Sequence, residues 1–427
     1  MSTYSGTVVK LGITKAVAII GLLVVGCGES RERSGDLGKV VVLDSAGVRV
    51  IQTPGTVLEE RLDWEVGATP VVELDGSGDA SSPGFFRVGG VAELPDGGLL
   101  VVDGSSRQLL FFTADGQFLQ AVGRAGAGPG EFRGLPRLVP APSYDSLVVF
   151  DPSQQRFSVF SPSGELRRTN RPLALIPTRF QVPWGEVSLS RVSGAVGLLE
   201  NRVVTLHSVG LHSSQAGLDP EQPAQFRLVD PTGGLDQVIE LFKTILWFTT
   251  RADELGQTAT FQVPFSVAPA GAIGREGFYI IPGGWPRIRV YNASEELSRV
   301  LALGGAARTI TSADLDAYVD VQVRNAPNPA AAAMREREHR RVPLPEVFPT
   351  FDTLVVDTQE WVWARTYEFK ESPSRKWLLF DPEGRGRGTV DVPAGLRIHQ
   401  IGEDFILGVR RDEWGVEYVR RFALTRR

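Results

Sequence analysis

Short apolar runs separated by polar, glycine-containing turns make up most of this chain, a pattern typical of β-strands joined by hairpins. Between positions 97 and 164, the same order of three apolar runs and one turn occurs twice. Equivalent landmarks lie 48 positions apart at three places: Asp103 and Asp151, Phe112 and Phe160, and Gly116 and Gly164. A spacing kept at three landmarks indicates a copied strand unit, and periods of this length are typical of β-propellers.

Continuing this count along the chain predicts an all-β fold, a six-bladed β-propeller. Five sheets are expected at residues 86–122, 132–168, 180–241, 265–303 and 348–392, with three strands of a sixth at 396–424. An N-terminal segment must then supply the missing fourth strand, and residues 48–52 and 71–74 are both suitable. Pairing the two ends of the chain would close the ring and remove exposed sheet edges.

One segment, residues 311–341, departs from the strand pattern and predicts a small helical insertion between the fourth and fifth blades. Thr311 is suited to cap a helix, with Asp314 three positions later. Pro329 is suited to open a second helix that becomes basic toward its end, as the helix dipole favours. The insertion is expected to lie on the ring and not within it.

The N-terminal segment has the pattern of a targeting signal. Lys10 and Lys15 precede an apolar run at residues 16–26, which is too short to span a bilayer comfortably. Residues 23–27, Leu-Val-Val-Gly-Cys, resemble a bacterial lipobox, which implies cleavage before Cys27 and lipid attachment to it. An ordinary signal peptide with an incidental cysteine is the alternative.

These features divide the chain into three predicted parts: a lipoprotein signal peptide at residues 1–26, a flexible tether at 27–39 and the propeller at 40–427. Gly28 carries no aspartate retention signal, which by resemblance to known lipoproteins implies the outer membrane of a Gram-negative-type bacterium. The predicted location is therefore the cell envelope, with the lipid anchor as the contact to the membrane.

Composition narrows the classes of partner. The chain has 45 Lys and Arg against 50 Asp and Glu, a formal net charge of -5, with both signs interspersed. Nucleic-acid binding needs a clustered basic surface, so nucleic acid is not expected as a partner. The single cysteine excludes a disulfide framework, and the sequence assigns no cofactor.

Residues that could carry catalysis are few. Asp103, Asp151 and Asp381 follow strands and could ligate a metal, but an aspartate placed this way more often binds the backbone of a turn. The four histidines have no metal-binding spacing apart from a loose pair, His207 and His212, so no metal site is assigned. GxSxG, HExxH and P-loop motifs are absent from the sequence.

A glycine-rich stretch at residues 123–134 is interpreted as a crossover between blades, with an anion-binding backbone loop as the alternative. Within it, Gly-Ala-Gly-Pro-Gly-Glu-Phe-Arg at 126–133 resembles the GxGPGEF junction of bacterial six-bladed propellers of the NHL-like and TolB-like kind. Residues 44–48, and 408–413 with 415–419, are similar to members of the same group. The resemblance implies an architecture more than a function, since propellers include lyases, lactonases, glycan-binding proteins and scaffolds.

Two functions follow as hypotheses. The first is a non-enzymatic binding or scaffold module, tethered to the cell envelope, that takes a protein or glycan partner; its basis is a lipobox on a ring without a catalytic constellation. The alternative is a metal-dependent hydrolase or lactonase similar to the gluconolactonase propellers, with a divalent cation in the channel. That alternative requires acidic residues to converge there, with Glu131, Asp352 and Asp404 as candidates.

The predicted binding residues are four arginines and a histidine near the starts of inner strands: Arg87, Arg133, Arg137, Arg397 and His399. The first two each follow a phenylalanine that is expected to open an inner strand, and Arg137 lies an even step beyond Arg133. Such a cationic channel mouth would bind a carboxylate or phosphate, because guanidinium groups suit oxyanions. The alternative is that these arginines pair with acids of neighbouring blades, such as Glu131.

Overall fold

The computed structural model describes residues 39–427 apart from 79–81, 171–177, 183–184, 190–191, 201, 209–216, 219–221, 231–235, 245–246, 250–259, 306 and 343. The predicted signal peptide, Cys27 and nearly all of the predicted tether lie outside the described residues. Residues Val40–Arg427 form one unit.

Three N-terminal strands precede the repeated sheets. β1 (Val41–Ser45) and β2 (Val48–Thr53) form an antiparallel hairpin. A short 3-10 turn at Gly55–Leu58 then leads to the long strand β3 (Trp64–Asp75).

The first two sheets repeat each other, as the sequence spacing predicts. The first contains β4 (Gly90–Glu93), β5 (Leu99–Asp103), β6 (Gln108–Phe112) and β7 (Phe118–Val122). After a junction of β8 (Arg124–Ala125) and β9 (Glu131–Phe132), the second contains β10 (Arg137–Leu138), β11 (Leu147–Asp151), β12 (Arg156–Phe160) and β13 (Leu166–Thr169). The order and pairing of the strands are the same in both sheets, which confirms the copied unit.

The third sheet begins later than the sequence suggests. β14 (Thr178–Val182) and β15 (Gly185–Leu189) form a separate hairpin, so the innermost strand starts at Gly194 and not near Phe180. The next strands are β16 (Gly194–Leu199), β17 (Arg202–Ser208), β18 (Gly217–Leu218), β19 (Gln222–Val229), β20 (Asp236–Thr244), β21 (Trp247–Thr249) and β22 (Thr260–Gln262). The sheet has the order β16-β17-β19-β20, whereas β18, β21 and β22 form a small sheet of their own.

The last three sheets complete the ring. The fourth contains β23 (Ala270–Ile273), β24 (Gly277–Ile281), β25 (Arg287–Asn292) and β26 (Leu297–Leu303), and the helices α1 (Ser312–Arg324) and α2 (Pro329–His339) follow it. The fifth contains β27 (Phe351–Val356), β28 (Val362–Thr366), β29 (Ser374–Phe380) and β30 (Gly386–Pro393), and the sixth contains β31 (Leu396–Ile401), β32 (Phe405–Arg411) and β33 (Glu417–Arg426). In the described chain, six sheets of four blade strands thus form the predicted six-bladed β-propeller.

Ring closure is made by β3, which answers the question that the sequence left open. β3 pairs antiparallel with β33 and supplies the fourth strand of the sixth sheet. β2 instead pairs in parallel with β26, so the β1–β2 hairpin extends the fourth sheet. Residues 71–74 therefore close the ring, and residues 48–52 do not.

The helical insertion has the predicted caps. The Thr311 side chain accepts a hydrogen bond from the Asp314 amide, and the Asp314 carboxylate accepts one from the Thr311 amide. Pro329 occupies the first turn of α2, and Asn328 caps it. Neither helix, nor any other in the described chain, is long and apolar enough to cross a membrane.

Apolar side chains from adjacent blades form the core. Every residue of β5, β11 and β24 is buried, because a middle strand has a neighbouring blade on each face. Val101 and Phe112 of the first blade, for example, belong to one cluster with Leu407 and Val409 of the sixth. This two-sided burial explains why the strands appear in the sequence as unbroken apolar runs.

The first strand of each sheet is the innermost, and its free edge faces the central channel. We call the end of the ring where chains enter these inner strands the upper end; the turns that leave them lie at the lower end. Inner strands of neighbouring blades contact each other directly, as where the Leu138 amide donates to the Gly89 carbonyl at 3.2 Å. A Cβ on Gly89 would stand 2.0 Å from the Pro136 carbonyl oxygen, so this approach requires glycine.

Candidate functional site

Buried aspartates at the ends of β5 and β11 fix the upper end of the first two blades. Asp103 accepts a hydrogen bond from the Phe86 amide at 2.8 Å, and Asp151 accepts one from the Arg133 amide at 2.7 Å. Burial opposes ionisation of Asp151, but hydrogen bonds from Gln154 and from backbone amides keep its pKa below the usual value. Both carboxylates bind backbone, which confirms that interpretation of the strand-end aspartates.

These bonds correct the predicted equivalence of Arg87 and Arg133. Phe86 and Arg133 donate to equivalent aspartates, and the buried phenylalanines before them, Phe85 and Phe132, are equivalent too. The equivalent of Arg133 in the first blade is therefore Phe86, and Arg87 lies one residue further along. The difference arises because the segment between β3 and β4 contains two consecutive phenylalanines. Both arginines are exposed, and both precede the inner strands β4 and β10 and do not lie on them.

Arg397 and His399, on the inner strand β31, are in direct contact. Arg397 Nε donates to His399 Nε2 at 3.1 Å, and Arg397 Nη2 donates to the Val88 carbonyl of the first blade at 2.8 Å. The register of β31 with β32 shifts between Ile398 and Gln400, so His399 occupies a β-bulge. A bulge re-aims the side chain of its extra residue, and His399 lines a cavity of about 130 Å³ that is enclosed by inner-strand residues of several blades.

A buried carboxylate, that of Glu417 at the start of β33, joins the sixth blade to the first. Its Oε2 accepts from the Val88 amide at 2.8 Å; its Oε1 accepts from Arg411 at 2.7 Å and lies 4.0 Å from Arg397 Nη2. The Glu417 side chain is 2% exposed, whereas those of Arg411 and Arg397 are 54% and 55% exposed. One buried acid thus organises two arginines that remain open to solvent.

Two further arginines belong to this group. The guanidinium groups of Arg87 and Arg411 lie 5.7 Å and 5.9 Å from the ring centre of Phe86. Arg137 lies near enough to Arg397 for its charge to lower the pKa of that group. We call Arg87, Arg137, Arg397 and Arg411 the mouth cluster.

The mouth cluster has more positive charge than its acid neutralises. Burial lowers the pKa of Arg397, and the positive charges of Arg411 and Arg137 lower it further, whereas the negative charge of Glu417 raises it. Within the part of the chain that the structure describes, Arg87 and Arg137 make no ion pair. Glu417 therefore offsets the charge of two arginines, Arg397 and Arg411, and leaves Arg87 and Arg137 without a paired acid in the described chain, so a bound oxyanion would relieve the repulsion within the cluster.

Glu131 does not neutralise these arginines, although the sequence suggested it as a partner. It pairs with Arg124 at 2.7 Å and accepts a hydrogen bond from the Gly128 amide at 2.7 Å. These two bonds lower the pKa of Glu131. Because the Gly128 amide already donates to Glu131, it is not available to a bound anion, and the glycine-rich stretch serves as the crossover between the first two blades. Among the described residues, no ion pair joins the exposed Arg133 to Glu131.

A pocket of about 370 Å³ lies beside the cluster, between the fifth and sixth blades at the upper end. Asp352 pairs with Arg365 at 2.6 Å, Glu368 pairs with Arg375 at 3.4 Å, and Arg397 is the remaining charged residue of the lining. The pocket walls therefore carry a surplus positive charge at Arg397. The volume lies within the range of small-ligand sites.

Large apolar side chains are exposed around the same end. Phe86 precedes β4, and Trp285 and Trp414 lie in the turns between the second and third strands of the fourth and sixth blades; they are 44%, 58% and 83% exposed. Tryptophan and arginine are enriched among residues that carry binding energy at interfaces. The upper end thus presents both residue types.

The acids that the metal-dependent alternative requires do not share one site. Asp352 pairs with Arg365 in the fifth blade, and Asp404, in the lower turn of the sixth blade, lies 3.4 Å from Arg421. Glu131 lies at the junction of the first two blades. In the described chain, no group of three or more His, Cys, Asp or Glu residues is placed to hold a metal ion.

Sequence reasoning missed Arg411, Glu417 and Phe86. Arg411 and Glu417 flank the hairpin turn at residues 412–416, and turns of this kind are normally solvated surface. One signal was available: Glu417 shares a strand face with the apolar Val419, and both are buried. An acid on the apolar face of a strand needs a partner, because an unpaired buried charge is costly.

A family model described as a 6-bladed beta-propeller, DUF5128, matches residues 88–177. No curated protein matches the sequence. Among solved structures, a DUF4221-family protein from Bacteroides vulgatus is 8% identical with a TM-score of 0.44, over 92% of this chain and 100% of that one. A candidate exported protein from Bacteroides fragilis is 12% identical with a TM-score of 0.41, over 88% and 99%.

A gluconolactonase from Xanthomonas campestris, XC5397, is 11% identical with a TM-score of 0.37, over 91% of this chain and 98% of that one. Similarities as low as these carry no argument about what this chain binds or catalyses. The family model and the sheets themselves agree on the architecture, a six-bladed β-propeller.

Proposed function

We propose that this chain is a cell-envelope lipoprotein whose propeller is a non-enzymatic binding module for an anionic protein or glycan partner. The partner is taken at the upper mouth of the channel. The observation that carries this proposal is the mouth cluster, in which Arg397 and Arg411 lie at one buried carboxylate, Glu417, while Arg87 and Arg137 add two further positive charges close by.

The chemistry of the cluster favours carboxylate or phosphate groups. Guanidinium groups present paired N–H donors that match the two oxygens of such anions. Arg397 and Arg411 keep more than half of their side-chain surface open, so a partner reaches them without unfolding the ring. The exposed Phe86 and Trp414 add apolar surface on the same face.

Attachment to the envelope rests on the N-terminal sequence. The apolar run at residues 16–26 and Cys27 supply the signal peptide and the lipidation site, and the tether at 27–39 gives the ring freedom above the membrane.

The proposal is tested by calorimetry with two anionic probes, oligogalacturonate and a glutamate-rich peptide. The double variant Arg87→Gln/Arg137→Gln removes two exposed cluster charges without breaking an ion pair of the described chain. Exposed ion pairs contribute about 0.2–1 kcal/mol each, so the loss of two of them should weaken binding by about two- to thirtyfold. Added salt should weaken the wild type in the same direction.

Arg133→Gln is the control for charge alone, because it removes one positive charge from the same end of the ring but outside the mouth cluster. We expect it to bind as the wild type does. If Arg133→Gln costs half of the binding free energy that the double variant costs, only net charge matters. Unchanged binding by the double variant would place the site elsewhere. If neither probe binds the wild type, the proposal is wrong.

A further inference from the structure

The pocket of about 370 Å³ beside the mouth cluster lies between the fifth and sixth blades. Its walls come from the start of β27, from the adjoining ends of β28 and β29, and from the start of β31. Arg397 lines this pocket and also belongs to the mouth cluster. The pocket and the mouth are therefore joined through one guanidinium group.

A buried indole in the wall of this pocket has an unused hydrogen-bond donor. Trp377 lines the pocket and is 2% exposed, and its Nε1 makes no hydrogen bond within the part of the chain that the structure describes. Trp363, on the neighbouring strand β28, shows the usual arrangement, because its Nε1 donates to Asp357 Oδ2 at 3.0 Å. Buried tryptophans normally bond this N–H group, so that of Trp377 is a donor that a ligand in the pocket would satisfy.

A β-bulge places an acid and a guanidinium group beside this indole. The register of β27 with β28 shifts between Phe351 and Thr353, which leaves Asp352 as the extra residue. Bulges are frequent beside functional sites, where they redirect a side chain. Asp352 Oδ1 accepts from Arg365 Nε at 2.6 Å, and the Arg365 guanidinium lies 5.9 Å from the ring centre of Trp377. Among the described residues, the two terminal nitrogens of Arg365 make no hydrogen bond, so they remain available as donors.

The charged groups of the lining, three arginines and two acids, leave one positive charge in excess. Asp352 pairs with Arg365, and Glu368 lies 3.4 Å from Arg375. Arg397 Nε and Nη2 are bonded, whereas its Nη1 makes no hydrogen bond in the described chain. A ligand that matches these walls therefore has one negative charge for the guanidinium groups. It also has hydroxyl groups, which can donate to the two acids and accept from the remaining donors.

We propose that this pocket binds one uronic acid residue of an acidic glycan, with Trp377 Nε1–H as one of the donors that hold it. The inference rests on the proposed function and specifies its ligand. Since an engineered cavity of about 150 Å³ binds benzene, a pocket of about 370 Å³ has room for roughly fifteen non-hydrogen atoms, and a uronic acid has about thirteen. The carboxylate side chain of an acidic peptide would bring no hydroxyl group to Asp352 and Glu368, so the lining favours the sugar acid.

The test records the indole N–H signals of the full chain by NMR, with galacturonate as the probe. The chain has eight tryptophans, and the variant Trp377→Phe identifies the signal of Trp377. We expect galacturonate to shift that signal in a saturable way, because the indole N–H gains an acceptor. The signal of Trp363, whose N–H is already bonded, should not move. A Trp377 signal that galacturonate leaves unchanged would overturn the inference.

Two related probes separate the charge of the ligand from its hydroxyl groups. Galactose has a similar ring without the carboxylate, and propionate has a carboxylate without the hydroxyl groups. Each should bind about tenfold more weakly than galacturonate, because each loses hydrogen bonds in which one partner is charged. If either probe binds as tightly as galacturonate, the inference is wrong. Neither comparison needs a variant to fold.

Calorimetry of variants gives a second readout. Trp377→Phe keeps an aromatic ring in the wall but removes the N–H donor, so it should bind galacturonate about two- to tenfold more weakly. Trp361→Phe is the matched control, because it makes the same change at the lower end of the ring, outside the pocket lining. We expect it to bind as the wild type does. Equal binding by Trp377→Phe and the wild type would overturn the assignment of this donor.

Failure of this inference can be told apart from failure of the proposed function. If oligogalacturonate binds the wild type but galacturonate leaves the Trp377 signal unchanged, the pocket is not a subsite while the mouth remains one. If the glutamate-rich peptide shifts the Trp377 signal as strongly as oligogalacturonate does, the pocket accepts any carboxylate and the inference about a sugar acid is wrong. If galacturonate shifts the signal but Arg87→Gln/Arg137→Gln binds both polyanions as the wild type does, the pocket is confirmed and the proposed mouth is wrong.

Discussion

Replacing Glu417 should change stability and anion binding in opposite directions. Glu417 is the buried acid that holds the Val88 amide of the first blade and pairs with Arg411 of the sixth. It is also the carboxylate that opposes the charge of the mouth cluster. Removing it should loosen the junction of the two blades and make the mouth more attractive to anions.

The magnitude follows from two contacts. In Glu417→Ala, the Val88 amide loses its acceptor while Val88 is 4% exposed, and an unsatisfied buried amide costs about 1–3 kcal/mol. The pair with the half-exposed Arg411 adds about 0–1 kcal/mol. The free energy of unfolding should therefore fall by about 1–4 kcal/mol.

Glu417→Gln separates the two roles, because its amide oxygen can still accept from the Val88 amide. We expect the free energy of unfolding of this variant to fall by about 1 kcal/mol, because its hydrogen bonds are no longer strengthened by the carboxylate charge. Both variants remove one negative charge from the mouth, so both should bind the glutamate-rich peptide about two- to fivefold more tightly.

Urea unfolding gives the stability change, and hydrogen exchange of the peptide that contains Val88 locates it. Glu413→Ala serves as the control, because Glu413 is an exposed acid in the same turn. If Glu417→Ala is no less stable than Glu417→Gln, the Val88 amide does not depend on Glu417 and the reasoning fails. If both variants bind anions more weakly, Glu417 is needed to position the arginines and the charge argument is wrong.

Three further predictions test other parts of the molecule. Cys27→Ser should leave the protein soluble or as an unprocessed precursor, since stable anchoring needs acyl chains, each of which contributes about 0.8 kcal/mol per buried methylene. If cell fractionation finds a mature variant bound to the membrane, Cys27 is not the lipidation site. Deleting residues 40–75 removes β3 and leaves one edge of β33 unpaired, so we expect aggregation or loss of cooperative urea unfolding. Unfolding as sharp as that of the full chain would exclude this closure. The pKa of His399 is lowered from 6.5 to about 3 in the folded chain, so the stability that the neutral ring contributes is present above pH 6.5 and is lost as the pH falls toward 3. The free energy of unfolding in urea should therefore depend less on pH between 6.5 and 3 for His399→Gln than for the wild type. The same pH dependence in both proteins would refute the lowered pKa.

The sequence by itself determined the architecture, because the architecture depends on local and repeated features. The 48-residue offset between Asp103 and Asp151, which two other pairs of residues share, identified the repeated sheet. Each of these aspartates stabilises a turn made by residues close to it in the sequence. The caps of the insertion were predictable for the same reason, since Thr311 and Asp314 bond to each other within one helical turn. Predictions of this kind need no knowledge of distant residues.

Only the tertiary structure decided which strand closes the ring and which residues surround the mouth. Residues 48–52 and 71–74 have similar strand patterns, and the choice between them depends on β33, which lies more than three hundred positions further along the chain. The structure also showed that Phe86, and not Arg87, is the equivalent of Arg133, because two phenylalanines, Phe85 and Phe86, stand where the second blade has one.

The candidate site was predicted in part. Arg397 and His399 are in contact, as their shared face of one strand suggested, but the β-bulge that aims His399 at the channel has no signature in the sequence. Glu417 and Arg411 join the group only because the sixth blade meets the first, where the Val88 amide needs an acceptor. Closing a ring brings the two ends of the chain together, and the interactions made there are set by the geometry of the whole ring, which a local pattern does not contain.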